Sequence, residues 1–182
     1  MAVSVILKKS FGKSEMQVQL SLEDRKRIER HALETFPEEC CGFLFGKQNA
    51  DGWVLKEIRP SKNVSVTPRA GFQLDGREQA AAMKYADEMN VEIIGYYHSH
   101  PNGRRGPSPT DFILWGGDPK FLAADDRSKL PEELQNTDIP RLPDYSLQII
   151  IAVEKGVVTD ISAWHLRRGL SGFDQINVAF FV

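Results

Sequence analysis

Apolar and polar residues alternate early in the chain, with Met16, Val18 and Leu20 on one side, which predicts a strand within the first 20 residues. Ser21 follows as an N-cap, and apolar residues at Leu22, Ile28, Ala32, Leu33 and Phe36 then fall along one side of a helix. Pro37 ends that helix, because the residue before a proline avoids helical geometry. Residues 40–45 form a short apolar run predicted as a buried strand, residues 53–58 as a second, and residues 71–74 as a brief third before a helix over 77–89 that stops at Asn90. Residues 91–97 are rich in β-branched and aromatic side chains and run directly into His98-Ser99-His100-Pro101, placing both histidines at the end of a strand. Ser108-Pro109-Thr110-Asp111 then opens a short helix toward Trp115, and strands are predicted at 145–153, 157–166 and 173–181. The last of these, through Val182, reads either as a core strand or as an interface. The order is mixed α/β, a sheet flanked by helices.

One stretch breaks the rhythm. Between Gly116 and Asp144 lie 27 residues that include Pro119, Pro131, Pro140 and Pro143 and show little periodicity. Compact domains rarely carry a bare connection of that length, so an insertion at 117–143 is expected to act as a lid or a partner-docking element, or else to be a passive excursion. With no internal repeat or low-complexity tract, the expected organisation is a single domain over residues 1–182 carrying that insertion.

Composition narrows the function classes mainly by exclusion. Twenty-three Lys and Arg against 25 Asp and Glu leave a formal charge of -2, too balanced to gather phosphate backbones or an anionic membrane surface. Nucleic acid and membrane are therefore poor partners, and Arg104-Arg105 is only a local basic patch on a solvated loop. The apolar run at 2–7 is too short for a secretory segment and that at 148–153 too short to span a bilayer, so a soluble cytoplasmic protein is expected. Cys40 and Cys41 are adjacent, a poor geometry for a structural disulfide, and read as reduced, buried side chains.

Candidate chemistry starts with the histidines. Strand residues two apart project from the same face, so His98 and His100 can offer imidazole nitrogens to one ion while Ser99 points away. Asp111 stands eleven positions after His100 across a Gly/Pro loop, near enough for a turn to bring a carboxylate to the same ion. Two imidazoles and a carboxylate leave one tetrahedral position open, the mark of a catalytic rather than a structural zinc site. The same Ser108–Asp111 segment is also a good helix start, with serine at the N-cap, proline at the first position and an acid in the first turn, and both roles are compatible. Peptide hydrolysis needs in addition a carboxylate beside the metal that does not ligate it. Glu38 and Glu39, where the first helix gives way to the next strand, are the candidates, against the alternative of a solvated pair at a turn.

Glu39-x-x-Gly42, followed by His98-Ser99-His100, seven residues, and Ser108-x-x-Asp111, closely resembles the JAMM (MPN+) zinc metalloprotease motif of bacterial type, with agreement at every defined position. Pro37-Glu38-Glu39-Cys40-Cys41-Gly42, the Ile93-Ile94-Gly95-Tyr96-Tyr97 strand and the late strand near Trp164 extend the resemblance from about Leu22 to Leu166. It implies a curved mixed sheet between helices with a deaminase-like architecture. It also implies hydrolysis of a peptide or isopeptide bond after the C-terminal tail of a ubiquitin-like or sulfur-carrier β-grasp protein. By position, His98, His100 and Asp111 would ligate one zinc ion, Glu39 would serve as general base and acid on the metal-bound water, and Ser108 would donate to the developing oxyanion. The offset from Gly42 selects Glu39 over Glu38.

Other metal chemistries lack their residues: neither the His-x-Glu with Pro-Cys-x-x-Cys of zinc deaminases nor His-Glu-x-x-His on a helix is present. The competing class is a non-catalytic, zinc-stabilised adaptor that binds protein partners. The sequence leaves oligomeric state open.

Overall fold

The computed structural model describes residues 16–128, 130, 147–166 and 172–182. Seven strands, β1 (Gln17–Ser21), β2 (Cys41–Asn49), β3 (Gly52–Ser61), β4 (Glu92–His100), β5 (Leu147–Glu154), β6 (Val157–Leu166) and β7 (Phe173–Phe181), make one sheet in the order β1-β3-β2-β4-β5-β6-β7. The curvature is strong enough to close the sheet, because β1 runs parallel to both β3 and β7. β4 and β5 are parallel and the other neighbours antiparallel, so the sheet is mixed, as expected.

Two helices cover opposite faces. α1 (Leu22–Thr35) starts where the Ser21 hydroxyl accepts from Asp24 N at 3.0 Å and lays Ile28 and Ala32 on the sheet. They join Leu44, Tyr97, Ile149, Ile151 and Ala163 in the main core. α2 (Gly76–Met89) is capped by Asp75 and ended by Asn90 in a left-handed conformation with φ of 51°. Its Ala82 and Ala86 pack on Phe43, Phe45 and Tyr96 from the other face. A third, smaller cluster joins Phe112 and Ile113 of α3 (Pro109–Leu114) to Leu130. No described helix is long and apolar enough to cross a membrane.

Four expectations change. Residues 71–74 form no strand; only an isolated bridge pairs Asn63 with Leu74, because the Asn63 side chain takes up the backbone groups of Gly71 and Gln73. Leu22 and Leu33 stay exposed, since α1 touches the sheet only along the narrower stripe through Ile28 and Ala32. β7 is a strand between β6 and β1, yet among its residues only Ile176 is buried. The start of the irregular stretch is ordered into a 3-10 turn (Pro119–Phe121) and α4 (Ala124–Ser128). The strand expected within the first 20 residues is β1, and the residues before Met16, like about half of the expected insertion at 117–143, lie outside the described residues.

Candidate metal centre

The histidines stand on the most enclosed strand. β4 is paired on both sides, with His98 opposite Cys41 of β2 and Ile150 of β5, so its backbone has no freedom to re-aim the side chains. Alternation puts Tyr96, His98 and His100 on the α2 face, and Tyr97 and Ser99 on the α1 face. After His100 the chain turns back through Gly103, whose N–H donates to Val153 O at 2.9 Å. Gly106, at φ 82°, lies so close to the Trp164 ring that a Cβ there would strike the indole. The loop delivers Ser108 as the N-cap of α3 in a complete capping box: Asp111 N donates to Ser108 Oγ at 3.1 Å and Ser108 N donates to Asp111 Oδ2 at 2.6 Å. The capping role read from the sequence is real, and it is also what turns the Asp111 carboxylate toward the histidines.

The three side chains converge. His98 Nε2 lies 3.1 Å from His100 Nε2, Asp111 Oδ1 is 3.4 Å from the first and Oδ2 3.2 Å from the second. All three residues are buried and their ligand atoms fall within 4.8 Å of one another. Atoms bound tetrahedrally at the usual zinc distances sit about 3.3 Å apart, and each of these separations, taken to one or the other Asp111 oxygen, is of that order, so the residues present fit a zinc ion. Protonation agrees. Burial pushes the His98 imidazole below its ordinary value, toward the neutral ring that a metal requires. Burial works against ionising Asp111 but is overcome by the His98 and His100 imidazoles, which hold its carboxyl well below the usual range. His100 Nδ1 lies 3.2 Å from the Arg104 carbonyl, which can only accept; the proton therefore sits on Nδ1 and the lone pair of the neutral ring on Nε2. His98 is held by rings instead, stacked on Phe72 at 4.6 Å and met edge-on by Trp115 at 5.5 Å.

Glu39 arrives from a different quarter, the short link between α1 and β2. Its neighbour Glu38 is exposed, whereas Glu39 is buried, with no hydrogen-bond partner for Oε2 among the described residues. Burial lifts its carboxyl to about 8; the nearby His100 pulls downward and Asp111 adds to the rise. Gly42 is required for packing, since a Cβ would collide with the Arg59 carbonyl and the Tyr97 ring. The buried free cysteines are inert: burial raises Cys40 to about 12 and Cys41 still further. The surrounding layer of Phe72, Trp115, Trp164 and the Arg104 carbonyl escaped sequence reading, because aromatic residues and backbone groups outside a periodic pattern carry no local signal.

The sequence matches the family of prokaryotic homologs of the JAB domain over residues 22–139. It is similar to a desampylase of Haloferax volcanii, 31% identical over 99 residues that cover 52% of this chain and 70% of that one. A desampylase of Pyrococcus furiosus is 42% identical over 62 residues, 34% of this chain and 41% of that protein. A CysO-cysteine peptidase of Mycobacterium tuberculosis is 35% identical over 91 residues, 46% of this chain and 56% of its own. The match thus spans about half the length of the last two relatives. In fold, the chain resembles a solution structure of a Desulfitobacterium hafniense protein, with a TM-score of 0.62, 21% identity and coverage of 90% and 92% of the two chains.

Proposed function

Because the chain belongs to the prokaryotic homologs of the JAB domain, we propose that it is a zinc peptidase cleaving the peptide or isopeptide bond that follows the C-terminal tail of a ubiquitin-like β-grasp protein. The carrying observation is the buried His98, His100 and Asp111 cluster with the Glu39 carboxyl beside it. Relatives named desampylase and CysO-cysteine peptidase support the substrate class.

In this reading His98, His100 and Asp111 hold one zinc ion, which supplies Lewis acidity toward the scissile carbonyl and acidifies water. Glu39 takes a proton from the attacking water and delivers it to the leaving amine. A carboxyl lifted toward neutrality by burial suits both tasks, because it gains and loses a proton near working pH. Ser108 accepts from Asp111 N through a lone pair of its hydroxyl, which leaves its O–H to donate to the developing oxyanion. Phe72 and Trp115 keep water from the histidines, strengthening these interactions.

The test is cleavage of a β-grasp protein fused through its tail to a reporter peptide. Cleavage should stop with a chelator and return with zinc, elemental analysis should find one zinc per chain, and Glu39→Gln should keep the metal and the fold but lose turnover. A Glu39→Gln protein that cleaves normally, or purified chain that neither holds nor takes up a transition metal, defeats the proposal. A zinc-loaded wild type that binds such proteins without cutting them would instead identify an adaptor.

A further inference from the structure

Glu39 belongs to no helix or strand, and among the described residues no group holds its Oε2. The direction of the carboxylate therefore depends on how its backbone is anchored. Both polar groups of that backbone are tied to the 62–74 loop: Glu39 N donates to Pro68 O at 2.7 Å, and Glu39 O accepts from Asn63 Nδ2 at 3.0 Å. Asn63 does more than this one bond. Its Nδ2 also donates to Gly71 O at 3.1 Å, while its Oδ1 accepts from Ser65 N at 3.0 Å and Gln73 N at 3.1 Å. Two carbonyls and two N–H groups use the full capacity of one primary amide, and only asparagine-type chemistry in this orientation serves all four. From the opposite side, Cys40 N donates to Ser99 Oγ at 2.8 Å and Ser99 N to Cys40 O at 3.1 Å, tying the next peptide to the strand that carries the histidines. The glutamate is thus bracketed between a loop organised by Asn63 and the metal-bearing strand.

We propose that Asn63 is a positioning residue for the reaction: its amide fixes the Glu39 peptide so that the carboxylate faces the metal centre. This rests on Glu39 being the general base. The hydrogen bonds of Asn63 run to Glu39, Gly71, Ser65 and Gln73 and not to His98, His100, Asp111 or Ser108, so its removal should act on the proton-transfer step and leave metal binding alone.

Asn63→Asp isolates the donor arm, since a carboxylate still accepts from Ser65 N and Gln73 N but presents oxygen to the Glu39 carbonyl. Asn63→Ala removes both arms. In the full-length zinc enzyme acting on the β-grasp reporter fusion, each variant should lose about 10–100-fold in kcat, keep KM within about two-fold and retain one zinc per chain. The Asp variant keeps two of the loop bonds and so serves where the Ala variant fails to fold. The proposal is overturned if kcat is unchanged in Asn63→Asp, or if kcat, KM and zinc content fall together as a general loss of structure would make them. Glu39→Gln run alongside separates the two levels: an inactive Glu39→Gln with an unimpaired Asn63→Asp removes only the positioning role, whereas an active Glu39→Gln removes both it and the base assignment.

Discussion

The two faces of the central strands are built from the same alternating sequence yet treat polar groups in opposite ways. Toward α1, Tyr97, Ile149, Ile151 and Ala163 are fully buried among apolar neighbours, and the polar atoms on that side are paired: the Tyr97 hydroxyl with His31 Nδ1 at 2.9 Å, Ser99 Oγ with Cys40 N. Toward α2 and α3, Glu39 Oε2, His98 Nδ1 and Trp115 Nε1 are buried and have no hydrogen-bond partner among the described residues. An unpaired buried polar atom costs about 1–3 kcal/mol, so a cluster of them on one face marks where stability has been given up for chemistry. The α1 face is an apolar core with its polar atoms paired; the other face gathers the buried His98, His100 and Asp111.

That contrast can be broken from either side. The largest effect is expected on the polar face: Asp111→Asn should lose both zinc and turnover, with activity down at least about 10³-fold, because it removes the charge of the proposed ligand while an amide oxygen can still accept from Ser108 N. Full zinc content in that variant, by elemental analysis, would show that Asp111 is no ligand. On the apolar face, Ile149→Ala should cost about 2–5 kcal/mol in denaturant unfolding while the folded fraction keeps its zinc and its kcat. Loss of metal in proportion to stability would erase the division between the faces.

The effect smallest over any one pH unit is a slope. With its carboxyl at about 8 in the folded chain, metal-free Glu39 favours the protonated form, so its contribution to stability is fully present below the unfolded carboxylate value near 4.5 and is lost as pH rises toward 8. Metal-free wild type should therefore lose up to about 1.4 kcal/mol per pH unit in that window relative to Glu39→Gln, which mimics the neutral acid, and the two should converge at lower pH. Parallel stability curves across the window would mean that Glu39 is solvated.

Much of the fold was legible because it is local. A period of two placed His98 and His100 on one face, the Ser21 and Asn90 boundaries of the helices follow from capping chemistry, and Ser108-Pro109-Thr110-Asp111 announced α3 as it stands. The errors arose where side chains redirect the backbone or where packing decides exposure. Residues 71–74 look like a strand until the Asn63 amide captures them, and Leu33 looks like core until α1 settles on a narrower stripe.

The sequence by itself determined which chemistry was available: two imidazoles at strand spacing, a carboxylate at a helix start, and two adjacent glutamates before a strand. Only the tertiary structure buries Glu39 and leaves Glu38 to solvent, a difference in exposure that two adjacent glutamates in the sequence do not reveal. The same holds for the pairing that closes the sheet and the contacts that bring positions 39, 98 and 111 together. These depend on burial and on hydrogen bonds between residues distant in the chain, and no local pattern encodes them.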